Sequence, residues 1–355
     1  MDILLDMLDT QSLQISNTML GLIAQIDEFK GAWKALGTLA PDRLLSLRHV
    51  ATIESIGSST RIEGSQLSNQ EVERLLDRLA SREFASRDEQ EVAGYGELME
   101  LVFSAWEHIP LSENHIKQLH CDLLKYSVKD ERHRGHYKTH SNRVAMFDLQ
   151  GRDIGTVFET ATPFDTPRLM TELIASYRNC QESASTHPLL AIAILVVVFL
   201  EIHPFEDGNG RLSRILTMLL LLQNGYAYVP YSSLESIVEQ NKAEYYQALR
   251  RTQGTIRTKA PNWGPWILFF LYSLKSQVSR LQEKIEHERI VFSALPALSL
   301  TLLELTKQRG RITVKDAVSL TQANRNTVKA HLKRLLNAGH MKQNGAGRGV
   351  WYSLA

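Results

Sequence analysis

Two apolar runs lie close together in the chain and bracket a polar one. Residues 189–200 end in Val196, Val197, Val198, Phe199 and Leu200, residues 215–222 are apolar again, and HPFEDGNGRLSR, residues 203–214, stands between them. On its pattern alone the first run fits a buried strand or a buried helix. Three features choose helix: Pro188 suits a first helical turn, the run is long for a strand, and the neighbouring segments carry helical spacing. The second run continues as a buried helix that Gly225 ends. The polar stretch then joins two buried helices, and the rest of the chain is read as serving it.

Around this centre the spacing is mostly helical. Leu13, Ile15, Met19, Leu22, Ile23 and Ile26 recur at three- and four-residue steps, which defines one helical face. Residues 44–79 have the same spacing, interrupted by Gly57, Ser58, Ser59, Thr60, Glu63 and Gly64. Further helices are expected over 88–106, from an N-cap at Ser112 to Leu124, from Pro167 to about Cys180, and around 231–251 and 263–288. Between 135 and 164 the period changes to that of two short strands, carrying Val144, Met146 and Asp148, then Ile154, Thr156 and Phe158, about a Gly151-Arg152-Asp153 turn.

At Pro296 the character changes again. Helices at 298–307, 315–320 and 327–338, a short strand at 312–314, a turn at 322–325 and a glycine-rich pair of strands at 341–343 and 349–353 follow the order of a winged helix-turn-helix. The expected fold class is therefore mainly α, with a β-hairpin and a C-terminal winged helix-turn-helix domain. The expected domains are an N-terminal helical region (1–110), a core (111–255), a connecting helix (256–290) and the winged domain (291–355).

Composition excludes some partners. The chain has 40 basic and 39 acidic residues and a net charge of +1, so no global field recruits nucleic acid or membrane, and polyanion binding must come from a local patch. Cys121 and Cys180 have no metal-ligand spacing, which points to a reducing compartment. The acidic N-terminus is wrong for a secretory signal, and the apolar runs fall short of the roughly 18 residues of a membrane span. A soluble cytoplasmic protein is expected.

The polar run itself concentrates phosphate chemistry. Gly208-Asn209-Gly210 at a helix N-terminus lets consecutive N–H groups point into one concavity, which is an anion site. The Asn209 side chain adds a donor, and Arg211 and Arg214, three apart, project together toward a polyphosphate tail. Asp207 can hold Mg²⁺, which takes one or two carboxylates plus phosphate oxygens. His203 is the residue with a near-neutral pKa and a lone pair at the mouth of that cradle, the natural general base for a hydroxyl attacking phosphorus. Phe205 is expected to point the other way, into the core.

These twelve residues match the signature HxFx[D/E]GNGRxxR, and the chain on that basis resembles the Fic (Fic/Doc) family. The resemblance implies a mostly helical fold and transfer of AMP from ATP to a Ser, Thr or Tyr hydroxyl of a target protein, with release of pyrophosphate. It implies His203 as base, Asp207 as Mg²⁺ ligand, Gly208, Asn209 and Gly210 around the α-phosphate, and Arg211 and Arg214 on the outer phosphates. The hairpin resembles the family's flap, so Val144, Met146 and Ile154 are expected to dock the target by strand addition. The lead-in GHYKTHSNRV has Lys138 where the family usually has Arg. Asn241, Tyr245 and Tyr246 fall where relatives line the nucleoside pocket.

The interruption upstream also acquires a meaning. Ser59-Thr60-Arg61-Ile62-Glu63-Gly64 matches the family's inhibitory motif [S/T]xxxE[G/N], which implies an inhibitory helix over about 55–66 whose Glu63, with Ser59, engages Arg214. Arg214 would then be denied to the ATP γ-phosphate. Two other functions fit the same residues: transfer of another phosphate-linked group or removal of AMP, and a DNA-binding regulator whose core only senses nucleotide. An intact His203 argues against the last, because sensing needs no base. Asn324, Arg325, Asn326, Lys329, Lys333 and Arg334, with Lys342 and Arg348 on the wing, make DNA a candidate partner. A homodimer is an admissible assembly.

Overall fold

The computed structural model describes residues 13–35, 41–79, 83–147, 153–258, 260–293 and 296–354. Its elements fall into two compact units, Met1–Leu281 and Gln282–Ala355.

The first unit is built on α7 (Pro188–Ile202) and α8 (Asn209–Gln223), with the helices before them as α1 (Asn17–Ala35), α2 (Pro41–Ile62), α3 (Asn69–Asp77), α4 (Arg87–Ala105), α5 (Glu113–Leu123) and α6 (Thr166–Ser183). Every residue of α7 from Leu189 to Ile202 is buried, as a helix apolar on all sides must be. Each of its large aliphatic side chains contributes roughly 1.5–3 kcal/mol by leaving water. Pro188 occupies its first turn and His187 caps it, accepting from the Leu189 N–H. The helix reading of 189–200 therefore holds. α6 and α10 (Lys242–Ile256) pack on α7, while α2, α4 and α5 pack on α8. α9 (Leu234–Gln240) lies along α2, and α11 (Gly264–Ser293) follows α10.

Residues 57–60 do not break the helix. α2 runs through them to Ile62, and the turn comes at Glu63 and Gly64, so the inhibitory segment expected over 55–66 is a helix end plus a turn. Ser58, Ser59 and Thr60 are buried. The Thr60 hydroxyl donates to the Ile56 carbonyl at 2.9 Å, so a small polar side chain is satisfied within the helix while α2 packs along α9 and α4. Polarity marked this stretch as a break, whereas burial of small side chains is what close helix packing needs.

The hairpin pairs β1 (Arg143–Phe147) with β2 (Asp153–Glu159) antiparallel. Register shifts follow Val144 and Met146, and Ile154 falls where the pairing skips a residue. The expected turn at 151–153 lies largely outside the described residues.

In the second unit α12 (Ala297–Arg309), α13 (Val314–Thr321) and α14 (Arg325–Asn337) precede a hairpin of β3 (Met341–Asn344) and β4 (Trp351–Leu354). Leu302, Ile312, Ala317, Val328, Leu332, Leu335, Met341 and Tyr352 form its core. Thr313 caps α13 in a reciprocal box with Asp316, and Asn324 caps α14. The strand expected at 312–314 is a single bridge from Ile312 to Tyr352, because Thr313 is already committed to the cap. Arg325, Asn326, Lys329, Lys333 and Arg334 are all exposed. Among the described residues no helix is long and apolar enough to cross a membrane.

Candidate active site

α7 ends at a residue that cannot continue it. His203 takes φ +51°, in the left-handed region, and its N–H donates to the Phe199 carbonyl at 2.9 Å. A non-glycine residue there is strained and turns the chain sharply out of the helix. Its Nδ1 lies 3.3 Å from the Leu200 carbonyl oxygen. A carbonyl only accepts, so Nδ1 carries the proton and Nε2 keeps its lone pair. Burial, assisted by the Lys138 ammonium, pushes the imidazole pKa down to about 4, so the ring is neutral near pH 7.

The loop after His203 is tied from inside. Phe205 is fully buried, as expected. Its N–H donates to Asn209 Oδ1 at 3.0 Å and its carbonyl accepts from Asn209 Nδ2 at 2.7 Å. Asn209 lies on the cleft wall, and its amide closes the loop, with one of its two Nδ2 hydrogens given to the Phe205 carbonyl. Gly208 at φ +77° starts α8, and no side chain caps that helix. Its first N–H groups are left for an anion.

Burial opposes ionisation of Asp207, yet Arg211, the Gly208 N–H and Arg87 outweigh it and hold the carboxyl below the usual range. Oδ1 accepts from Gly208 N at 2.5 Å and Arg211 Nη2 at 3.1 Å, and Oδ2 from Arg87 Nη2 at 2.9 Å. Arg211 also meets Glu91 Oε2 at 2.9 Å, and Arg87 Nε donates to Glu91 Oε1 at 2.7 Å. Four charges, two from α4, thus close a ring. The common projection expected for Arg211 and Arg214 is not seen: Arg211 turns to Glu91 and Asp207, and Arg214 to α2.

Arg214 is buried. Its Nε donates to Ser59 Oγ at 2.7 Å, and its Nη2 to Ser59 O at 2.9 Å and Glu63 Oε1 at 2.7 Å. Burial disfavours the charged guanidinium, but Glu63 outweighs it and the pKa rises. The Glu63 carboxylate also sits against Gly210, where any Cβ would collide with it. It therefore occupies the mouth of α8, where an anion would bind. The end of α2 is held there by Arg61, which gives Glu239 hydrogen bonds of 2.7 and 3.0 Å, and by Lys242 Nζ on the Ile62 carbonyl at 2.8 Å.

Several of these groups face one cleft of about 180 Å³. Glu63, His203, Asp207, Gly208, Asn209, Gly210 and Arg211 line it together with Tyr245, Tyr246, Leu249, Arg250 and Gln253. Arg214 is not on this wall; it borders a separate cavity with Trp266 and Phe269. Asn241 is also outside: exposed, it ends α9 and donates to the Ile237 carbonyl at 2.7 Å. Its place at the α9–α10 break aims it away, and Gln253 stands in the cleft instead. Both Gln253 amide atoms are buried and find no hydrogen-bond partner among the described residues. The spacing 245, 249, 253 was the available signal, since residues four apart share a helix face.

Lys138 is buried at the hairpin's base and donates to Asn142 Oδ1 (2.9 Å), Thr160 Oγ1 (2.8 Å) and the Ile202 carbonyl (3.0 Å). Burial lowers its pKa to about 8. It ties both strand ends to the end of α7. Val144 and Met146 lie on β1 and Ile154 on β2. Among the described residues no three or more His, Cys, Asp or Glu side chains gather as a metal site. The carboxylate at Asp207 nevertheless suits a cation that arrives with its own phosphate oxygens.

A helical core thus brings a neutral imidazole, a carboxylate and an uncapped helix N-terminus to one cleft. Residues 110–221 match the model of the Fic/DOC family. Over 90 residues it is 36% identical to protein adenylyltransferase Fic of Drosophila grimshawi, a stretch that spans 25% of this chain but 17% of that protein. A Fic family protein from Desulfovibrio desulfuricans shares the fold at TM-score 0.62 and 22% identity, over 96% of this chain and 97% of that one. A Fic domain containing signaling protein from Bacteroides thetaiotaomicron aligns at TM-score 0.57 and 26% identity, over 72% of this chain and 93% of that one.

Proposed function

We propose that the chain is a protein adenylyltransferase held in check by Glu63. The observation that carries this reading is the cleft in which neutral His203, Asp207 and the uncapped start of α8 meet, with Glu63 lodged at that start. His203 Nε2 takes the proton of a target Ser, Thr or Tyr hydroxyl as its oxygen bonds to the α-phosphorus of ATP. The bond from that phosphorus to the β-bridging oxygen breaks, and pyrophosphate leaves. The α8 N–H groups stabilise charge on the transferring group. Asp207 would hold Mg²⁺, which supplies charge neutralisation to the phosphates when bound. Labelling by α-labelled ATP, measured for the unmutated chain and for the Glu63 and His203 variants, tests the reading.

Tyr245, Tyr246 and Leu249 support the base end, and Gln253 its recognition. An amide with a free donor and a free acceptor matches the N6 amino group and a neighbouring ring nitrogen of adenine. Gln253→Leu is expected to raise the KM for ATP about 10-fold with little change in kcat, since the lost contact is made equally in ground and transition states. An unchanged KM would remove Gln253 from base recognition.

The exposed basic residues of α14 support duplex DNA as a further partner of the second unit. A gel shift at low salt is expected to show binding that weakens linearly on a log–log plot as salt rises. No binding at low salt would assign this face to another role.

A further inference from the structure

His120 lies inside the first unit with no solvent exposure, on α5, and none of the steps above uses it. Its Nδ1 accepts the Gly135 N–H at 2.9 Å, so the ring's proton is on Nε2, which lies 3.0 Å from the Asp207 carbonyl oxygen. The imidazole stacks on Phe205, with centroids 3.8 Å apart and planes at 10°. A Cβ on Gly208 would come 3.5 Å from its Nε2, so the ring also walls the turn that opens α8.

The two backbone groups it joins belong to different machinery. Gly135, at φ +78°, begins the lead-in to the hairpin, which continues through Tyr137 against Phe205 and Lys138, whose N–H donates to the Pro204 carbonyl at 2.9 Å. Asp207 precedes the anion cradle. A phenylalanine would give the same stacking; two fixed, opposite hydrogen-bond roles on one rigid ring are what only a neutral histidine supplies at this site.

We propose that His120 is a positioning residue that sets the nucleotide loop through Nε2–H and the hairpin lead-in through Nδ1, and so holds the two in register. The inference rests on the reading of the cleft as an ATP site.

Each half can be kept alone. Asparagine places an amide oxygen near the Nδ1 position, and glutamine an amide N–H near the Nε2 position. In full-length Glu63→Gly protein, calorimetry with Mg²⁺ and α,β-methylene-ATP, which cannot release pyrophosphate, is expected to show His120→Gln within about twofold of its parent. His120→Asn and His120→Phe should bind about 10-fold more weakly. Amide exchange should show the reverse at Gly135, protected in His120→Asn and fast in His120→Gln and His120→Phe. Equal effects of Asn and Gln on both readouts, tracking only a common fall in Tm, would overturn the proposal. If the Glu63→Gly parent binds no nucleotide, the functional reading fails instead, and exchange at Gly135 against Gly208–Gly210 still decides the role of His120. Should Asn and Phe variants not fold, exchange at those two places in His120→Gln decides it.

Discussion

Replacing Glu63 with glycine is expected to raise transfer of label from α-labelled ATP to protein by about 10- to 100-fold, the scale on which a misplaced phosphate slows a reaction. Two contacts carry this expectation. Arg214 Nη2 is shared between the Ser59 carbonyl and Glu63 Oε1 at 2.9 and 2.7 Å, so a terminal phosphate must displace Glu63 to reach that nitrogen. The same carboxylate lies against Gly210, where it repels any anion approaching the start of α8. Glycine clears both, while the Ser59 hydroxyl still holds Arg214 Nε at 2.7 Å. Glu63→Gln should fall between, since an amide oxygen still accepts from Arg214 but carries no charge.

The change has an opposite effect on stability. Arg214 keeps 8% of its side-chain exposure and Glu63 32%, so loss of the pair leaves a buried guanidinium partly uncompensated. Discounted for the solvent at Glu63, the cost is about 1 kcal/mol, well under that of a fully buried pair. Saturating Mg²⁺–ATP should return it by binding the folded state alone. A Glu63→Gly protein that labels no faster than the unmutated chain would end the inhibitory reading, whatever its Tm.

Much of this arrangement was legible in the chain because it is local. Pro188 and the length of the apolar run distinguish helix from strand, and Gly208 marks the turn before α8. What failed was non-local. Glu91 and Arg87 stand far upstream of Asp207 and Arg211, and nothing in HPFEDGNGRLSR announces that its first arginine is neutralised from α4. Arg61 and Lys242, which hold the end of α2, were invisible for the same reason. Asn241, expected in the nucleoside pocket from the resemblance alone, sits at the break between α9 and α10 and is exposed outside the cleft lining. Residues 57–60 interrupt the apolar spacing because small polar side chains satisfied inside a helix leave no hydrophobic mark in one dimension.

Replacing His203 with alanine in the Glu63→Gly background is expected to lower labelling about 10²- to 10⁴-fold, the range for loss of a positioned base, with nucleotide affinity nearly unchanged. The split follows from the geometry. The His203 imidazole makes one long hydrogen bond, to the Leu200 carbonyl, while the α8 N-terminus and Asp207 that would meet the phosphates are held by other residues. The pH profile gives an independent check. A base works in its neutral form, so activity is lost as pH falls through its pKa. With that pKa pushed down to about 4 by burial, kcat/KM, which reports the free enzyme, should stay flat from about pH 6 to 8. Bound triphosphate brings negative charge to the cleft and raises the pKa of the ring, so the acidic limb of kcat should lie at higher pH than that of kcat/KM. The limb belongs to His203 only if the residual activity of the alanine variant lacks it; label that persists at the parent's rate would remove His203 from the chemistry.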